Sequence, residues 1–96
     1  MFRSSIEKKL TAVSRELRTL REELGVLEEQ LIQVSDEAED SRLRSLVSET
    51  PLAAEEQREG AKAVAAVKRD REGKLKRLQK LERKQDELLD QLTEVR

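Results

Sequence analysis

The side chains best placed to do chemistry in this chain are carboxylates: Asp36, Glu37, Glu39 and Asp40 stand close together, and Glu49, Glu55, Glu56 and Glu59 follow. Clustered carboxylates bind divalent cations, or hold one for an enzyme into which they are inserted. The spacing is not that of a calcium loop, because no glycine lies among the first four to fix a tight ligand turn. A di-iron bundle site would need Glu-x-x-His, and the chain has no histidine. The simpler reading is a solvated acidic face. With neither histidine nor cysteine, the chain also lacks the commonest general base, a thiol nucleophile and a thiolate metal site. No glycine-rich phosphate loop, serine nucleophile motif or dinucleotide fingerprint occurs. The expectation is a non-enzyme with no catalytic residue, no metal site and no cofactor.

A second candidate is the basic stretch Lys68, Arg69, Arg71, Lys74, Lys76, Arg77, Lys80, Arg83 and Lys84, interrupted by Asp70, Glu72 and Glu82. Spread around a helix, such residues contact phosphates without reading sequence. The chain's single aromatic is Phe2, so no platform exists on which bases would stack. Across the whole chain 20 basic residues balance 21 acidic ones, for a net charge of −1, and no global field draws it to nucleic acid or to an anionic membrane. Charge balance along a helical surface is the favoured reading of this stretch.

The elements that carry these groups follow from periodicity. Only 35% of residues are hydrophobic and 43% are charged, which suits a narrow apolar seam better than a deep core. From Ile6 the apolar residues run Leu10, Val13, Leu17, Leu20, Leu24, Leu27, Leu31, Val34 and Ala38, in steps of four and three without a miss. Two apolar residues per seven, sustained over roughly four and a half heptads, is the stripe of a coiled coil, and disorder does not account for it. After Ala38 the seam positions are Ser41 and Ser45 while Leu43, Leu46 and Val47 fall off register, so the first helix is expected to fray or change its facing side there. Thr50-Pro51 then reads as a helix start, with Thr50 as N-cap and Pro51 at the first helical position. The second segment carries Val64, Val67, Leu78, Leu81, Leu88, Leu92 and Val95, with Arg71, Lys74 and Gln85 as polar interruptions.

If the chain reverses near position 49, residues facing each other have numbers summing to about 98, and both seams fit. Ile6 meets Leu92, Leu10 meets Leu88, Leu17 meets Leu81, Leu20 meets Leu78, Leu31 meets Val67 and Val34 meets Val64. Ala38 meets Gly60, two small residues that allow close approach. Leu27 and Leu24 face Arg71 and Lys74, whose aliphatic stems would cover them. On the flanks Glu16 is expected opposite Lys84, Glu23 opposite Arg77 and Glu28 opposite Lys68. The fold expected is therefore all-α: an antiparallel two-helix coiled-coil hairpin over 1–96, with a helix at about 4–46, a turn at about 47–50 and a helix at about 51–95. Each helix would be roughly 65 Å long. Leu75 and Leu89 on the flank of the second seam, and the apolar stretch from Gly60 to Val67, offer surface to another helix, so a homodimer or four-helix assembly is also expected.

The tip, Arg42 to Leu52, holds the remaining candidates. Leu43, Leu46, Val47 and Leu52 either close the end of the hairpin or form a docking patch rimmed by Arg42, Arg44 and acids. The segment Ser41-Arg42-Leu43-Arg44-Ser45-Leu46-Val47-Ser48-Glu49-Thr50-Pro51-Leu52-Ala53, with Lys84-Gln85-Asp86-Glu87-Leu88-Leu89-Asp90-Gln91-Leu92, resembles small coiled-coil proteins of actinobacteria. That resemblance implies the hairpin and no activity. A hairpin with an acidic end is also similar in outline to the coiled-coil domain of Gre-type transcript-cleavage factors, although the globular domain of that family has no counterpart here.

The leading expectation is a cytoplasmic, non-enzymatic interaction or adaptor protein that docks a larger protein partner by helix packing. The candidate partner-binding residues are Leu43, Leu46, Val47, Leu52, Leu75 and Leu89. One alternative is a regulator that inserts the acidic tip, Asp36, Glu37, Glu39 and Asp40, into RNA polymerase or a similar enzyme. Another is weak, non-specific nucleic-acid binding through Lys74, Lys76, Lys80 and Arg83. The start of the chain lacks the apolar core of a signal peptide and no eighteen-residue apolar run occurs, so no membrane partner is expected.

Overall fold

The computed structural model describes residues 2–95. Two helices, α1 (Phe2–Ser48) and α2 (Pro51–Glu94), pack antiparallel as a helical hairpin, and no strand occurs among the described residues. Neither helix is long and apolar enough to cross a membrane. By contact the chain resolves into two compact units, one of Met1–Leu24 with Gly73–Arg96 and one of Gly25–Glu72.

The link is two residues, Glu49 and Thr50. Glu49 takes the left-handed conformation, φ 43°, and its N–H donates to the Ser45 carbonyl at 3.3 Å. This closes α1 with a single bond from the first non-helical residue to the last turn, a position that usually holds glycine. An L side chain there costs roughly 1–2 kcal/mol. Thr50 then caps α2: its Oγ1 accepts from the Ala53 N–H at 3.1 Å, and its carbonyl accepts from the Ala54 N–H at 3.1 Å. Pro51 sits at the first helical position, where an amide hydrogen would have no partner.

In the unit of Met1–Leu24 and Gly73–Arg96, Leu17, Leu20 and Leu81 form a buried cluster, with Val13 and Leu78 packed against it. Leu17 and Leu88 are 0% and 1% exposed, and burying such a side chain stabilises by roughly 1.5–3 kcal/mol. Ile6 is also buried, and Leu10, Leu24, Gln85, Leu92 and Val95 are half-buried, so the heptad seam holds through its polar interruption.

In the unit of Gly25–Glu72, Leu27 is buried and Leu31, Val34, Val64 and Val67 are half-buried. The helices approach closely at Ala38 and Gly60, where a Cβ built on Gly60 would lie 3.1 Å from the Ala38 Cα. The expected fraying after Ala38 does not occur. Helix α1 continues unbroken to Ser48, with Ser41 buried and Ser45 half-buried on the same seam. Their hydroxyls stay bonded: Arg44 Nη2 donates to Ser41 Oγ at 3.3 Å, and Ser45 Oγ donates to Gln57 Oε1 on α2 at 2.8 Å. Ala53 closes the far end at 7% exposure. The seam keeps its period here with small residues in place of leucines.

Candidate interaction surface

The substitution of small residues for leucines at the end of the seam leaves the apolar residues of the tip outside it. Leu43, Leu46 and Val47 are spaced i, i+3, i+4 and so share one face of α1, the face turned away from Ser41 and Ser45. They are 48%, 64% and 86% exposed. Leu52, one residue into α2, is also exposed. These four side chains do not close the hairpin; Ala53 and the serines do. Ile32 and Val26 are exposed on α1 as well, and the heptad reading singles out neither. Their signal is present in the sequence, since both are apolar residues off a seam that is otherwise strictly kept. Leu75 is half-buried and Leu89 exposed, both in the unit of Met1–Leu24 and Gly73–Arg96.

Asp36, Glu37, Glu39 and Asp40 lie within five residues of α1 and all four are exposed, on either side of the half-buried Ala38. Their geometry is that of a helix surface more than of a ligand cage. Arg42 grips Glu39 with two hydrogen bonds, Nε to Oε2 at 3.0 Å and Nη2 to Oε1 at 2.7 Å. The hydrogen bond from Arg42, aided by its charge, holds the Glu39 carboxyl below its ordinary range, and the same bond raises the guanidinium of Arg42. Gln33 donates to Glu37 at 3.3 Å. Among the described residues no three acidic, histidine or cysteine side chains are grouped to hold a metal ion.

The basic stretch is drawn inward in part. Arg71 and Lys74 occupy seam positions, and their head groups emerge onto Glu28 and Glu23 respectively. Arg77 in turn pairs with Glu16 at 2.8 Å. These partners differ from those expected on the flanks, where Glu16 is matched to Lys84, Glu23 to Arg77 and Glu28 to Lys68. The side chains of Lys74 and Arg71, on the seam, are 26% and 38% exposed against 53% for Arg77, so these two bases stand nearest the helix interface and meet the flank acids of α1 there. Arg77, left without Glu23, reaches Glu16.

Arg58, Lys62 and Arg69 line the outer face of α2 in the unit of Gly25–Glu72, with Ala65 and Ala66 between them, all exposed. Both helices in this unit therefore offer helix-sized faces of mixed apolar and charged character, without a constellation for bond-making chemistry among the described residues. No protein-family model, no curated protein and no solved structure matches the chain.

Proposed function

We propose that this chain is a cytoplasmic, non-enzymatic interaction protein that docks a larger protein by helix-to-helix packing, through the outer face of α1 near the hairpin tip. The observation that supports this reading is the exposure of Leu43, Leu46 and Val47 on one face while the seam beside them is closed by Ser41 and Ala53. Contiguous exposed apolar side chains rimmed by charge mark protein interaction sites.

The test is capture of partners from the protein's own cells with tagged wild type and a Leu43→Ser, Leu46→Ser, Val47→Ser variant. A partner held by wild type and lost by the variant, with helix content by circular dichroism unchanged, is the expected result. A partner retained equally by both removes the reading.

A further inference from the structure

The outer faces of α1 and α2 in the unit of Gly25–Glu72 carry opposite charges at corresponding positions, and from this we infer that the first occupant of the α1 face is the α2 face of a second copy of this chain. This inference rests on the proposal that the α1 face is a docking surface and names what docks there. If α1 of one copy lies antiparallel against α2 of another, with the register that the hairpin uses internally, the midline residues oppose each other and flank residues meet their like. On the midline Glu29 then faces Arg69, and Asp36 faces Lys62. On one flank Ile32 lies over Ala65, and Glu39 faces Arg58. At the end of the contact, on the other flank, Val47 meets Leu52, so that two of the most exposed apolar residues of the tip cover each other.

Of the charges concerned, Glu39 is already held by Arg42 on its own helix, and the others are available. Among the described residues Glu29, Asp36, Arg58 and Arg69 form no ion pair within the chain. Lys62 holds Glu59 at 3.3 Å with both side chains largely exposed, and it lies where Asp40 would otherwise meet Glu59 as a like charge. Ile32 on α1 meets Ala65 on α2, a large residue against a small one, while Leu43 comes opposite Glu55 and Leu46 opposite Pro51. The α1 face carries Glu29, Asp36, Glu39 and Asp40 and no basic residue, so two α1 faces would repel; the α2 face carries Arg58, Lys62 and Arg69 beside Glu55, Glu59 and Glu72, and its basic residues are the ones that fall opposite Glu39, Asp36 and Glu29, which makes the mixed contact the attractive one. Because the two faces are different surfaces on opposite sides of the unit, the contact is heterologous and does not close at two copies.

The experiment is sedimentation equilibrium of the purified full chain over a range of concentration and salt. The mass is expected to rise past that of two copies and to fall as salt is added. Asp36→Lys and Lys62→Asp, each checked for helix content, should separately weaken association by ~10-fold or more, because each sets like charges against each other. An equimolar mixture of the two variants should associate again. Every contact between unlike variants then joins opposite charges, either the introduced lysine with the introduced aspartate or the native Asp36 with the native Lys62. A monomer at all concentrations, a plateau at two copies, or variants that associate as wild type does would each overturn the inference. The underlying proposal is judged separately: a chain monomeric in pure form that still captures a partner through Leu43, Leu46 and Val47 keeps its docking surface and loses only this occupant.

Discussion

At the scale of single residues, the glycines separate by what surrounds them. Gly60 faces Ala38 so closely that an added Cβ would lie 3.1 Å from the Ala38 Cα, a few tenths of an ångström inside ordinary contact, whereas Gly25 and Gly73 have open space where a Cβ would stand. In a helix interior alanine is favoured over glycine by ~1 kcal/mol. Gly25→Ala and Gly73→Ala should therefore each raise stability by about that amount in urea denaturation. Gly60→Ala should gain less than either, because Ala38 must give by a few tenths of an ångström to admit the methyl group. The two-residue link gives a second contrast. Glu49→Gly should stabilise by about 0.5–1 kcal/mol, relief of left-handed strain being offset in part by the freedom glycine has when unfolded. Thr50→Ala should cost about 1 kcal/mol through loss of the cap to Ala53. Thermal melts of the two variants would shift in opposite directions.

At the scale of the helices, the seam decides which leucines matter for stability. Leu17 and Leu88 are fully buried, so Leu17→Ala or Leu88→Ala should cost about 2–5 kcal/mol. Leu46→Ala, on the outer face of the same α1, should change stability by under ~0.5 kcal/mol. Chemical denaturation of the three variants measures this, and an equal loss at Leu46 would mean that the face is covered within the chain. The serines explain why sequence reasoning predicts fraying where the helix in fact continues. A heptad seam is recognised by its apolar residues, and Ser41 and Ser45 break that signal even though the helix keeps its period. What holds a helix on its seam near a hairpin end is the geometry of the close approach, and small side chains with satisfied hydroxyls suit that better than leucines would.

At the scale of the whole molecule, Arg71 and Lys74 sit at seam positions where leucine would pack. Polar residues at such positions lower stability and select register and partner. Replacing both, Arg71→Leu with Lys74→Leu, should raise the stability of the chain by about 1–2 kcal/mol for each added apolar contact. It should also broaden the distribution of oligomers seen by sedimentation, because an unbroken leucine seam pairs with other helices as well as with its own. The sequence alone determined that two helices exist, where the second begins, which stripe of each is buried and the antiparallel match between them. These properties follow from a fixed helical period and from local capping chemistry, both of which act on neighbours along the chain. Only the tertiary structure decided which acid each base holds and which side chains close the tip. Those choices are competitions for space between residues far apart in sequence, and they are settled by how near each group stands to the helix interface once the helices meet.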